Sequence, residues 1–178
     1  MRMRLAFFTF GVLRASFDDP SVEGFVERVP GIFGSVEGAG GFIDRSRIGA
    51  DGQLTEVGRW GEWEVPSFAQ STPGRAAQSL SVWEDIESVY VFGYQGVHSE
   101  ALRRASEWVE EGASPSHVSW WIEDDVWPTW SEACSRHLYL DERGSSPHAF
   151  TLREPFDADG HPAKPDPAKI NAHHLNSE

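Results

Sequence analysis

The sequence predicts a single α+β domain, on three observations. Large apolar residues alternate with period two in several short segments, and helical stretches with start and stop signals separate them. The order is β-α-β, a long irregular connection, then β-α-β. The 178 residues suffice for one core, and 39% hydrophobic with 24% charged residues describes a folded chain.

Residues 1–16, MRMRLAFFTFGVLRAS, mimic a secretory signal, but Thr9 and Gly11 interrupt the apolar run and Arg14 closes it. They read as a buried strand with Leu5, Phe7 and Thr9 on one face and Ala6, Phe8 and Phe10 on the other. In DDPSVEGFVERV, Asp18 or Asp19 caps a helix, Pro20 opens it, and Val22, Phe25, Val26 and Val29 form its stripe. Pro30-Gly31 and Gly34 break or kink that helix, and Phe42 to Ile48 read as the second strand. Residues 49–76 form a long loop, with a possible hairpin turning at Arg59–Gly61.

SLSVWED is the third strand, and Asp85 caps a long helix reaching about Val109. HVSWWIE is the fourth strand, on which Trp120 and Trp121 face opposite sides. Thr129 and Glu132 make a capping box for an added helix that Gly144 ends. HAFTLREPF is an extended arm, which sets the domain at 1–156 and a disordered tail at 157–178.

With 28 acidic against 15 basic residues, the net charge of -13 opposes binding to nucleic acid or anionic lipid. No stretch is long and apolar enough for a membrane span, and Cys134, the lone cysteine, excludes a disulfide framework or CxxC zinc site. These features favour a cytoplasmic protein. GxGxxG and Walker-type loops are absent, so nothing supports a nucleotide cofactor, and no HxH or HExxH suggests a metal.

The element order is that of a ferredoxin-like βαββαβ fold, with two helices on one face of a four-stranded antiparallel sheet. Both strand faces are apolar, so the second face needs cover. The same face of a second copy is the simplest cover, which predicts a homodimer.

QSLSVWEDIESVYVFGYQGVHSEALRRASEWV, VSWWIEDDVWPTWSEACSRHL and GSSPHAFTLREPF resemble the DUF3291 family, and DDPSVEGFVERVPGIFGSVEGAGGFIDR matches its first helix and second strand. That family is similar to the dimeric α+β barrels of antibiotic-biosynthesis monooxygenases and haem-degrading enzymes. The resemblance implies a homodimer with one pocket per subunit between sheet and helices. It implies no particular reaction, because this fold hosts oxygenases, haem proteins, isomerases and binding modules. The chain departs from the family pattern in its longer Trp-containing loop at 49–76 and in the polar SEACSRH face of its added helix.

His98 flanks the apolar face of the long helix, with Tyr94 one turn before it and Leu102 one turn after. There it can act as a general base, as an axial ligand to haem iron, or as a half-buried histidine bonding a backbone carbonyl. The resemblance favours a functional role, since the family's matching helix carries YxxxH. Tyr94 is a candidate hydrogen-bond donor, and Trp83, Trp120, Trp121, Phe92 and Leu102 are candidate pocket walls or core. His117 and His137 have no partners at metal spacing, and Cys134 reads as a small buried residue.

The expected function is acid/base chemistry without a nucleotide cofactor, by His98 with Tyr94, on a hydrophobic aromatic or polyketide-like molecule. Oxygenation, cyclisation and isomerisation are all open. The rivals are a haem protein ligated by His98 and a non-catalytic ligand-binding dimer.

Overall fold

A computed structural model describes residues 2–48, 54–55, 58–94, 103–112 and 114–175. The strands are β1 (Met3–Val12), β2 (Phe42–Arg45), β3 (Ala76–Trp83) and β4 (His117–Glu123). They form one sheet in the order β2-β3-β1-β4 with every neighbouring pair antiparallel. The hydrophobic run of β1 suits its central place, since it is flanked on both edges and both faces.

Two helical segments cross from β1 to β2. Asp19 accepts a hydrogen bond from Ser21 N at 2.8 Å and caps a 3-10 turn that leads into the single helical turn α1 (Glu23–Val26). The second is α2 (Val29–Glu37): the expected break falls between Val26 and Val29, Gly34 does not interrupt the new helix, and Pro30 lies in its first turn. An N–H is not needed there, so proline is tolerated. After β3, Asp85 Oδ1 accepts from Ser88 N at 2.9 Å and starts α3 (Ile86–Tyr94). The long helix expected to reach Val109 does not: residues 105–107 form a 3-10 turn, and Val109 bridges to Leu13.

One sheet face carries Ala6, Phe8, Phe10, Leu80, Val82, Val118, Trp120 and Ile122, all buried. Its cover is the chain's own helix α4 (Trp130–Arg143) together with the loop residues Trp60, Val65 and Ala69. Thr129 Oγ1 accepts from Glu132 N at 3.2 Å to start α4, and Gly144, at φ +76°, ends it. Trp130, Ala133, Cys134, His137 and Leu140 form its buried stripe. Each large side chain so buried contributes roughly 1.5–3 kcal/mol. The homodimer was expected because this face needed a cover, and the chain supplies that cover itself.

On the opposite face, Leu5, Phe7 and Trp83 pack against Val36, Ile86 and Val89 of α2 and α3. The arm joins there, since Phe150 and Ser119 exchange backbone hydrogen bonds of 2.8 and 3.0 Å. The 58–75 stretch turns at Gly58–Gly61, but two 3-10 turns and no strand follow among its described residues. Its indoles turn inward instead of pairing as a hairpin, and Trp63 lies 4.6 Å from Trp130 between ring centroids.

The tail expected to be disordered carries a helix, α5 (Pro167–Leu175), docked on α3. Glu87 accepts from Asp166 N at 2.8 Å before its first turn, and His173 pairs with Asp85 at 3.1 Å. Contacts distant in sequence therefore hold a helix that its own composition would not. No described helix is long and apolar enough to cross a membrane.

Candidate functional site

The second face of the sheet changes character along its length. Leu5 stands opposite Trp83 and Trp121, and these large side chains fill one end. Toward the other end the facing pairs shrink to Thr9–Ser79 and Gly11–Ala77. A cavity of about 640 Å³ lies over these small residues. Val29, Ile32 and Phe33, at helical spacing on α2, form one wall with Phe25 of α1. They stay half-buried because they face the cavity.

Trp108 forms another part of the wall, with the Arg28 and Arg104 guanidinium groups 5.2 and 5.0 Å from its ring. Gly24 packs closely beneath it, since a Cβ there would lie 3.1 Å from the indole, tighter than an ordinary contact. Phe33 is similarly backed by Arg45, 4.0 Å from its ring.

The polar groups collect on the floor and one rim. Thr9 and Ser79 share a hydroxyl hydrogen bond of 2.6 Å. His117 begins β4, and Thr151 and Arg153 come from the arm. His117 Nε2 accepts from Leu152 N at 3.1 Å, which leaves Nδ1 to carry the proton, 3.3 Å from Ser116 Oγ. Burial lowers the His117 pKa to about 4, with the Arg153 and His137 charges adding to the effect. The imidazole is therefore neutral near pH 7 and a weak base, and it ties the arm to the sheet.

His137, on the other side of the sheet, is fully buried among Phe8, Phe10 and Phe68. Its Nε2 donates to Pro115 O at 2.5 Å, beside the cavity rim, and burial lowers its pKa. Its Nδ1 has no hydrogen-bond partner among the described residues. Burial also raises the Cys134 thiol pKa to about 12, which makes it a poor nucleophile.

The residues singled out from sequence distribute differently. Trp83 is 1% exposed, with Nε1 donating to Ser81 Oγ at 2.9 Å and its ring 5.4 Å from Phe92. Trp83 and Phe92 border a small void of about 50 Å³ and not the large cavity. Trp120 and Trp121 do face opposite sides. Trp120 is buried under α4, and Trp121 Nε1 donates to Phe156 O at 2.7 Å. His98 and Leu102 lie outside the described residues, as does the side chain of Tyr94. Gly93 and Ala105, on either side of that stretch, both line the large cavity.

Sequence reasoning missed Trp108 and His117 as cavity residues. His117 had a usable signal, since it shares a strand face with Ser119 and Trp121. Trp108 shares a face with Gly93 at helical spacing, but its place depends on where the chain leaves helical geometry. Among the described residues, no group of three His, Cys, Asp or Glu side chains could hold a metal ion.

No curated protein and no solved structure matches the chain. A family model described as a domain of unknown function, DUF3291, matches residues 4–166, and the chain belongs to that family.

Proposed function

We propose that the protein binds a hydrophobic, ring-bearing small molecule between its sheet and the α1–α2 wall. The cavity of about 640 Å³ carries this reading. Ligand sites run roughly 300–1,000 Å³ and combine apolar walls with a few placed polar groups. Phe25, Phe33 and Trp108 would meet an apolar body, and Thr9, Ser79 and His117 a polar end. Titration with 2-naphthalenemethanol tests the proposal: indole fluorescence should quench saturably at one ligand per chain. Ala77→Trp, which fills the floor, should abolish that response while the folded circular dichroism spectrum remains. An Ala77→Trp protein that still binds would refute the location.

Catalysis by His98 is the second reading. It is supported by Gly93 and Ala105, which flank the His98 stretch and both line the cavity. In this reading His98 transfers the proton and Tyr94 donates a hydrogen bond, while the described walls bind the substrate and exclude water. His98→Ala should then retain ligand binding and lose product formation, whereas unchanged turnover would end the assignment.

The described walls do not by themselves fit haem. His117, the imidazole among them, has its Nε2 engaged by the Leu152 N–H. A haem reading therefore rests on His98, and a Soret band on hemin titration that vanishes in His98→Ala would be its signature.

The strand order and the helical crossovers support a ferredoxin-like description of the fold. The dimeric-barrel part of that reading lacks such support, since α4 occupies the face a second sheet would use.

A further inference from the structure

We propose that the molecule this cavity accepts is an apolar carboxylic acid, its carboxylate held by Arg153 at the cavity mouth. This rests on the cavity reading above and deepens it. Arg153 is exposed and is the one charged side chain among the described lining residues, His117 being neutral. Its backbone is fixed by the residues before it. Phe150 pairs with Ser119, Thr151 N donates to Ser145 Oγ at 3.3 Å, and Leu152 N donates to His117 Nε2 at 3.1 Å. The guanidinium is thus mounted on a braced segment.

Charge argues the same way. Most arginines of the described residues are committed to a carboxylate: Arg2 to Glu84, Arg4 to Asp124, Arg45 and Arg47 to Glu37, Arg59 to Asp44, Arg75 to Glu110, Arg104 to Glu107 and Arg136 to Glu132. Arg153 has no ion pair or hydrogen bond among the described residues. The chain holds 28 acidic residues, yet none of the described lining residues is acidic. A lining without carboxylates and with one uncommitted guanidinium suits an anion. The aromatic walls opposite suit an apolar body. His117 and Thr151 lie beside Arg153 in the lining and extend the polar end of the site. A guanidinium pairs with a carboxylate through two parallel N–H···O bonds, a geometry an alcohol does not reproduce.

Two matched pairs test this by calorimetric titration of the full chain: 2-naphthoate against 2-naphthalenemethanol, and decanoate against decan-1-ol. The acid of at least one pair should bind about tenfold more tightly than its alcohol, and the pair with the larger effect tells a flat ligand from a linear one. Added salt should shrink the preference. Arg153→Gln should remove it, lowering the affinity for the acid far more than that for the alcohol, and Arg153→Lys should restore part of it. Arg153 is exposed, so neither variant threatens the fold. Equal binding of acid and alcohol, or a preference that survives Arg153→Gln, would overturn this inference and leave the cavity reading standing. If none of the four probes binds, both readings fall.

Discussion

The two faces of one sheet have opposite fates. Beneath α4, Phe8 stands opposite Leu80 and Ala6 opposite Val82, and Trp120 and Trp130 fill the remaining space with no measurable exposure. One residue along the same strands, Thr9 stands opposite Ser79 and Gly11 opposite Ala77, and a cavity opens. The backbone pairing is shared, so smaller side chains under a different cover separate the cavity from the sealed core. In the proposed reading the sheet commits one face to stability and the other to ligand, with small residues marking the second.

The contrast breaks most visibly at Trp130. Its ring meets Phe8 edge-on at 6.2 Å, and its Nε1 donates to the buried Ser46 Oγ at 3.2 Å. Trp130→Ala should cost about 3–5 kcal/mol in denaturant unfolding. A loss below about 1 kcal/mol would mean that α4 does not seal that face.

Acid gives the next largest effect. The His117 pKa falls from 6.5 to about 4 on folding, so below pH 6.5 the unfolded chain binds more protons. Its contribution is complete above about pH 6.5 and is lost as pH falls toward 4. Allowing for partial exposure, about 2 kcal/mol is at stake. Chemical denaturation as a function of pH should show a shallower slope across this window in His117→Gln. An unchanged slope would place the proton uptake elsewhere.

The smallest effect belongs to the cavity floor. Ser79→Ala removes the hydroxyl bonded to Thr9, but both residues are half-buried beside open space. It should cost less than about 1 kcal/mol, measured by the same denaturation experiment. A larger loss would mean that the floor is packed as tightly as the other face.

The elements themselves were readable where the chemistry is local. Alternation assigned Phe7 and Phe8, and Trp120 and Trp121, to opposite faces, and Thr129 with Glu132 marked the start of α4. Contacts made at a distance left no local trace. Trp60, Val65 and Ala69 follow no period, yet they seal a sheet face expected to need a second chain. Docking on α3 through Asp85 and Glu87 orders α5, which composition alone assigned to a disordered tail. Thr9 and Gly11 read only as interruptions of an apolar run and Ala77 lay ahead of the third strand, because small residues announce a cavity only once their cross-strand partners are known. The sequence pointed to His98 and Tyr94 as site residues. His98 and the Tyr94 side chain lie outside the described residues, and the described cavity lining includes Trp108, His117 and Arg153.

Chemical-shift mapping with the neutral probe 2-naphthalenemethanol tests the division of labour most directly. Saturable shifts should concentrate on the Trp108 indole N–H and on the amides of Gly11, Ala77 and Ser79, leaving the Trp120 and Trp130 indoles unmoved. Shifts at Trp120 and Trp130 with none at Trp108 would contradict it.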